Sequence, residues 1–215
     1  MLVLGIDTSG PACDVAMVED GKCLAEQREE MVRGQDARLP GLVSDIIGQA
    51  GRSITDLDRI SVVTGPGSFT GVRVGISFAR GLALAQRIPC IGVTSLEAAL
   101  PDGQQGSAIV LLPAKRRPPE ISYWAQRFRT GDALAAPEEI GLEPLIEELR
   151  AHPHMVYGTG LEALMAEVPD LAIHTAHPSA ARTSEIAANS ADDSPRAYPV
   201  YVRSPDAALP GGKRP

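Results

Sequence analysis

The sequence predicts an α/β fold with a sheet of mixed direction, divided into two subdomains. Two observations carry this. Three strands come first as a meander, at 2–6, 13–18 and 23–29, and helices then alternate with strands. The shared core must be aliphatic, because 44% of the 215 residues are hydrophobic and only 4% aromatic.

The elements follow in order. Residues 2–6 are apolar without a break, as suits a central strand covered on both faces. Ser9, Gly10 and Pro11 end that run. In the second strand Cys13, Val15 and Met17 share a face. Asp20 and Gly21 turn the chain into the third strand, whose polar residues place it at an edge. Leu39, Leu42, Val43, Ile46, Ile47 and Ala50 then repeat at the spacing of one helical stripe. Pro40 is expected in the first turn of that helix and Gly51 at its C-terminal cap. A strand at 60–63 leads into a glycine-rich stretch, and a second helix covers 71–86. A strand at 91–93 and a short helix at 95–100 complete the first subdomain, 1–100. The boundary falls at "PDGQQG", 101–106. Strands at 108–112 and 121–129, a helix at 142–150, the strand and glycine turn "HMVYGTG", a helix at 161–168, a strand at 171–174 and a helix at 179–190 form the second subdomain, 101–204. Residues 205–215 lack periodicity and read as a disordered tail. This order is ribonuclease-H-like, the block duplicated in the actin-like ATPases (the ASKHA superfold of actin, Hsp70 and sugar kinases). The second half reads as a reduced copy.

Charge narrows the function classes. A net charge of −7 argues against a broad basic face gripping nucleic acid unaided. No apolar run approaches the roughly 20 residues that span a bilayer, and the first residues lack the basic start of a signal peptide. Cys13, Cys23 and Cys90 form no CxxC pair and read as free thiols in a reducing compartment. A cytoplasmic protein is expected.

The stretch "TGPGSFTGVRVGISFARG", 64–81, invites a phosphate-loop reading and fails it. A Walker A loop needs GxxxxGK[ST], and Val72 and Arg73 follow Gly71 instead. A dinucleotide turn needs GxGxxG, and Gly71 comes one position late after Gly65 and Gly67. As packing, the glycines make sense: Gly71, Gly75 and Ala79 lie on one helical face, where small residues admit another backbone. The rest of this helix, from Val72 through Ile76 to Leu82, is apolar nearly all round, so a partner chain is expected to share in covering it. Arg73 and Arg80 read as solvated or salt-bridged charges.

The segments "LGIDTSG", "ARLPGLVSDII", "GPGSFTGVRVGISFARGLA" and "YPVYVR" together resemble the TsaB family, also called YeaZ, over residues 1–204. The resemblance implies a subunit of the bacterial machinery that makes threonylcarbamoyladenosine in tRNA, next to the anticodon. It implies a non-catalytic scaffold that pairs with the catalytic subunit TsaD, is joined by the ATPase TsaE, meets tRNA only through the complex, and forms a homodimer alone. The implied partner face is the two-helix surface bearing Leu39, Leu42, Val43, Ile46 and Ile47 with Gly71, Gly75, Ile76, Ala79 and Leu82. TsaD-type proteins carry a metal-binding HxxxH on the first long helix; here "GQDARLPGLV" has no histidine. His152, His154, His174 and His177 make no ligand set, and no HExxH is present. No metal site and no intrinsic cofactor are expected, with ATP or ADP conceivable at a subunit junction. Asp7 sits where the superfamily has its first phosphate loop, and Gly158 and Gly160 resemble its adenosine-contacting turn. A strand-end Asp7 capping its own turn is the alternative. The family's Asp-Ala-Arg after the first strand of the second subdomain is replaced by "PAKRRPPE", 113–120. The rival to the scaffold reading is an active ATP-dependent small-molecule kinase or ATPase of the same superfold.

Overall fold

The computed structural model describes residues 1–114, 119–152, 154–191 and 197–202. The first sheet contains β1 (Leu2–Asp7), β2 (Ala12–Glu19), β3 (Lys22–Glu30), β4 (Arg59–Val63) and β5 (Cys90–Val93), in the order β3-β2-β1-β4-β5. The β1–β2–β3 meander is antiparallel, and β4 and β5 run parallel to β1. Alternation along β1 decides what each face receives. Leu2, Leu4 and Ile6 join the core under α1 (Gln35–Gln49) and α2 (Phe69–Gln86). Val3 and Gly5 face the opposite way, toward the last helix of the chain.

The second sheet contains β6 (Ser107–Pro113), β7 (Ser122–Arg129), β8 (Asp132–Ala133), β9 (Glu138–Gly141), β10 (Met155–Gly158) and β11 (Ile173–Thr175). Its order is β11-β10-β6-β7-β8, with β9 also pairing β7. Treating β8 and β9 as one broken strand, this is the order of the first sheet again. Helices α3 (Leu142–Ala151) and α4 (Glu162–Glu167) cover one face through Leu145, Ile146, Leu149 and Leu164. The other face meets Leu96, Ala99 and Leu100 from the connection between the sheets.

Helix α5 (Ala180–Asn189) follows β11 but crosses back to lie on β1, β2 and β4 of the first sheet. Residues 197–202 return there too: Ala197 is buried in the first core, and the Val200 N–H donates to the Thr64 carbonyl at 2.8 Å. The second sheet begins just after 101–106, while α5 and residues 197–202 pack on the first sheet. Gly5 explains why the crossing is possible. A Cβ there would lie 2.0 Å from the Ala180 carbonyl oxygen, so only glycine lets α5 settle on β1.

Three local expectations are corrected. Helix α1 starts at Gln35, so Pro40 sits inside it, exposed, rather than in its first turn. The polar residues 35–38 hid that extra turn from a reading based on apolar spacing. Residues 95–100 form successive turns rather than a helix. The short strands β8 and β9 carry too little apolar alternation to be seen in advance. Gly51, with φ of 64°, does follow the end of α1 as expected. The 205–215 tail and residues 115–118 of the 113–120 loop lie outside the described residues.

Candidate functional site

The glycines of α2 turn out to face their own chain. A Cβ on Gly71 would stand 2.0 Å from the Thr8 carbonyl oxygen, and one on Gly75 2.5 Å from Thr8 Oγ1. Thr8 Oγ1 donates to the Gly71 carbonyl at 2.7 Å, and the Ser68 N–H donates to the Ser9 carbonyl at 2.7 Å. The thin face of the helix therefore receives the 7–9 turn, not a neighbouring chain. Ser68 caps α2 by accepting from the Gly71 N–H.

The stripe expected to meet a partner is corrected in the same way. Leu39, Leu42, Val43, Ile46, Gly71, Gly75, Ile76 and Ala79 are all buried within the chain, while Ile47 and Leu82 are half-buried. Apolar spacing identified the side of α1 and α2 that rests on the sheet. What remains outside is a different set. A groove of about 550 Å³ between the helices is lined by Asp36, Leu39, Phe69, Thr70, Arg73, Val74, Ser77 and Phe78. Phe69 is 46% exposed and Leu84 82%.

Beside this groove, two distant parts of the chain meet. The Arg73 guanidinium lies 3.6 Å from the Phe69 ring centroid, and its Nε donates to Tyr201 Oη at 3.0 Å. Arg80 stands over Tyr198 at 5.0 Å. Both arginines are thus held against aromatic faces, a cation–π arrangement. Spacing alone could not reveal this, because Tyr198 and Tyr201 lie far along the chain from Arg80 and Arg73.

At the strand ends, Asp7 is buried and its Oδ1 accepts the Ser9 N–H at 2.7 Å, the self-capped turn of the alternative reading. Burial raises its pKa above the usual carboxylate range, with the bonds from Ser9 pulling the other way. Asp14 lies opposite Asp7 across β1 and β2 and is pushed up to about 7, mainly by burial. Its Oδ2 accepts the Ala180 N–H at 3.0 Å. Gly158 packs against the Leu111 carbonyl, where a Cβ would approach to 2.0 Å, and a Cβ on Gly160 would meet the Pro113 ring at 2.6 Å. Among the described residues no group of three His, Cys, Asp or Glu is placed to hold a metal ion. No helix among them is long and apolar enough to cross a membrane.

Two sheets of the same strand order, a crossing helix and buried turns at the strand ends define an α/β protein of the actin-like ATPase superfold. Comparison with known proteins narrows this. Residues 29–119 match the family model "TsaD: tRNA N6-adenosine threonylcarbamoyltransferase". The chain is 38% identical over 141 residues to the tRNA threonylcarbamoyladenosine biosynthesis protein TsaB of Escherichia coli, covering 65% of this chain and 60% of that one. An uncharacterized protein of Mycobacterium tuberculosis is 34% identical over 212 residues, covering 95% of this chain and 93% of that one. A solved structure from Pseudomonas aeruginosa, described as similar to peptidase YeaZ, superposes with a TM-score of 0.72 at 26% identity, covering 94% of this chain and 99% of that one. The chain is thus similar to the TsaB (YeaZ) proteins in sequence and fold, and spans less than two thirds of the length of the Escherichia coli relative.

Proposed function

We propose that this protein is a non-catalytic scaffold subunit in the installation of threonylcarbamoyl on the adenosine next to the anticodon of tRNA. It pairs with a TsaD-like catalytic subunit, is joined by a TsaE-like ATPase, and works in the cytoplasm. It meets tRNA only through the complex and dimerises when alone. The observation that carries this reading is the likeness to YeaZ along nearly the whole chain. The buried Asp7, whose turn is packed under α2, favours a scaffold over a magnesium-dependent kinase.

The docking surface in this reading is the outer side of α2 with the α1–α2 groove: Phe69, Arg73, Val74, Phe78, Leu82 and Leu84. Exposed apolar area of this kind, contiguous along one helix, suits association with another apolar helix face. ATP or ADP, if bound, sits at the junction of the subunits rather than within this chain. Phe78→Asp tests the surface. Copurification with the TsaD-like subunit and threonylcarbamoylation of tRNA in a reconstituted assay should both be lost while the circular dichroism spectrum is kept. A folded Phe78→Asp and Leu84→Asp double variant that still binds and supports modification would overturn the assignment. The kinase reading predicts magnesium-dependent ATP binding by the isolated chain, abolished in Asp7→Ala, and calorimetry separates the two.

A further inference from the structure

Helix α5 belongs to the second half by connection and to the first by packing. Its two ends are held by side chains of the first sheet. At the N-terminus the Ala180 N–H donates to Asp14 Oδ2 of β2 at 3.0 Å. At the C-terminus Arg59 of β4 donates from Nη1 to the carbonyls of Ala187 and Ser190, both at 2.7 Å. Asp14 is 1% exposed and Arg59 6%. A helix leaves N–H groups unsatisfied at its start and carbonyls at its end, with partial positive and negative charge respectively. An aspartate at the first and an arginine at the second match both ends.

We propose that Asp14 and Arg59 form a two-point clamp that fixes α5 on the first sheet, so that the two halves of the molecule are coupled as one body. Between the two anchor points the fit is close. The buried face is small, with Ala180, Thr183, Ser184 and Ala187. Gly5 leaves room for the helix backbone. Small residues give little apolar attraction of their own, so position depends on the polar anchors. Arg182 extends the hold to the seam: its Nε donates to the Leu100 carbonyl at 3.1 Å and its Nη1 to Asp102 at 2.7 Å. Around Asp14, Arg28 of β3 approaches to 3.7 Å, and Asp7 and Glu26 also face it. The accepting oxygen is the part that holds the helix, since an uncharged amide can offer the same bond to Ala180. The clamp makes motion of the second half against the first costly for this chain.

Segment-resolved hydrogen exchange on the full chain tests this. In Arg59→Met and in Asp14→Val the α5 amides should exchange at least tenfold faster, while amides of β2 and β3 keep their protection. Asp14→Asn, which keeps an acceptor for Ala180, should not raise α5 exchange above the wild-type rate. Unchanged α5 exchange in Arg59→Met and Asp14→Val overturns the clamp. So does an equal acceleration of every segment in both, which would make these residues general supports of the core.

Discussion

The two halves share one strand order and differ in what they leave on the surface. In the first half α1 and α2 run 15 and 18 residues, and α2 is apolar on more sides than its sheet can cover. In the second half α3 and α4 run 10 and 6 residues. Helix α3 buries Leu145, Ile146 and Leu149 and turns Glu143, Glu147 and Arg150 outward. Such a helix is complete once it rests on its sheet. The difference teaches that a duplicated framework need not duplicate a role. One half leaves apolar side chains such as Phe69 and Leu84 exposed on α2, and the other supplies the returning helix.

The largest expected effects test what the halves have in common. Each has a glycine pressed on a backbone carbonyl at a strand end, Gly71 against Thr8 and Gly158 against Leu111. Backbone cannot move aside as a side chain can, so Gly71→Val and Gly158→Val should each cost more than about 4 kcal/mol. Chemical denaturation that finds either within about 1 kcal/mol of wild type would remove the shared framework argument.

Next is Asp14, which has no counterpart proposed in the second half. Its folded pKa of about 7 lies above the ordinary value of 3.8. The folded state therefore binds the proton more tightly, and this stabilisation is full below about pH 4 and lost as pH rises through about 7. At roughly 1.4 kcal/mol per pKa unit, Asp14→Asn should be more stable than wild type at pH 8 by on the order of 4 kcal/mol, with the advantage shrinking toward pH 4. Equal pH dependence in the two proteins, by urea unfolding across that range, would contradict it. The thiols of Cys13 and Cys90, each raised to about 11 by burial, stay neutral throughout.

Smaller still is the effect of surface change on folding. Leu84→Asp on α2 should alter stability by less than about 1 kcal/mol yet weaken association, whereas Glu147→Lys on α3 should do neither. Sedimentation of both variants measures the contrast between the halves directly. Smallest is Gly81→Ala. Nothing lies within 4 Å of a Cβ there, so the change should stabilise α2 by about 0.5–1 kcal/mol.

Much of the fold was legible. The meander, the edge position of β3, the cap at Gly51 and the helix–strand alternation all follow from local patterns of apolar spacing and turn residues. The candidate site was legible only in part. Helical spacing puts Leu39, Leu42, Gly71 and Gly75 on an expected partner face, whereas the sheet and the Thr8 turn of the same chain cover them. Helical spacing shows which residues share a face and not what the face meets. Asp14 was missed because a lone acid in an apolar strand carries no motif; its opposition to Asp7 and its bond to Ala180 exist only after pairing. Tyr198 and Tyr201 were noticed as a family signature, and their place beside Arg73 and Arg80 came from the fold.

By itself the sequence determined the class of fold, the order of its elements, the failure of the phosphate-loop templates and the family resemblance. Each of these is written in neighbouring residues, through periods of two and 3.6 and through turn chemistry. Tertiary structure decided which sides of α1 and α2 remain outside and that α5 crosses from the second half to the first sheet. Those depend on contacts such as Gly5 with Ala180 and Arg59 with Ser190, between residues more than a hundred positions apart. Local propensity does not encode such contacts, because their free energy arises only when the whole chain is folded.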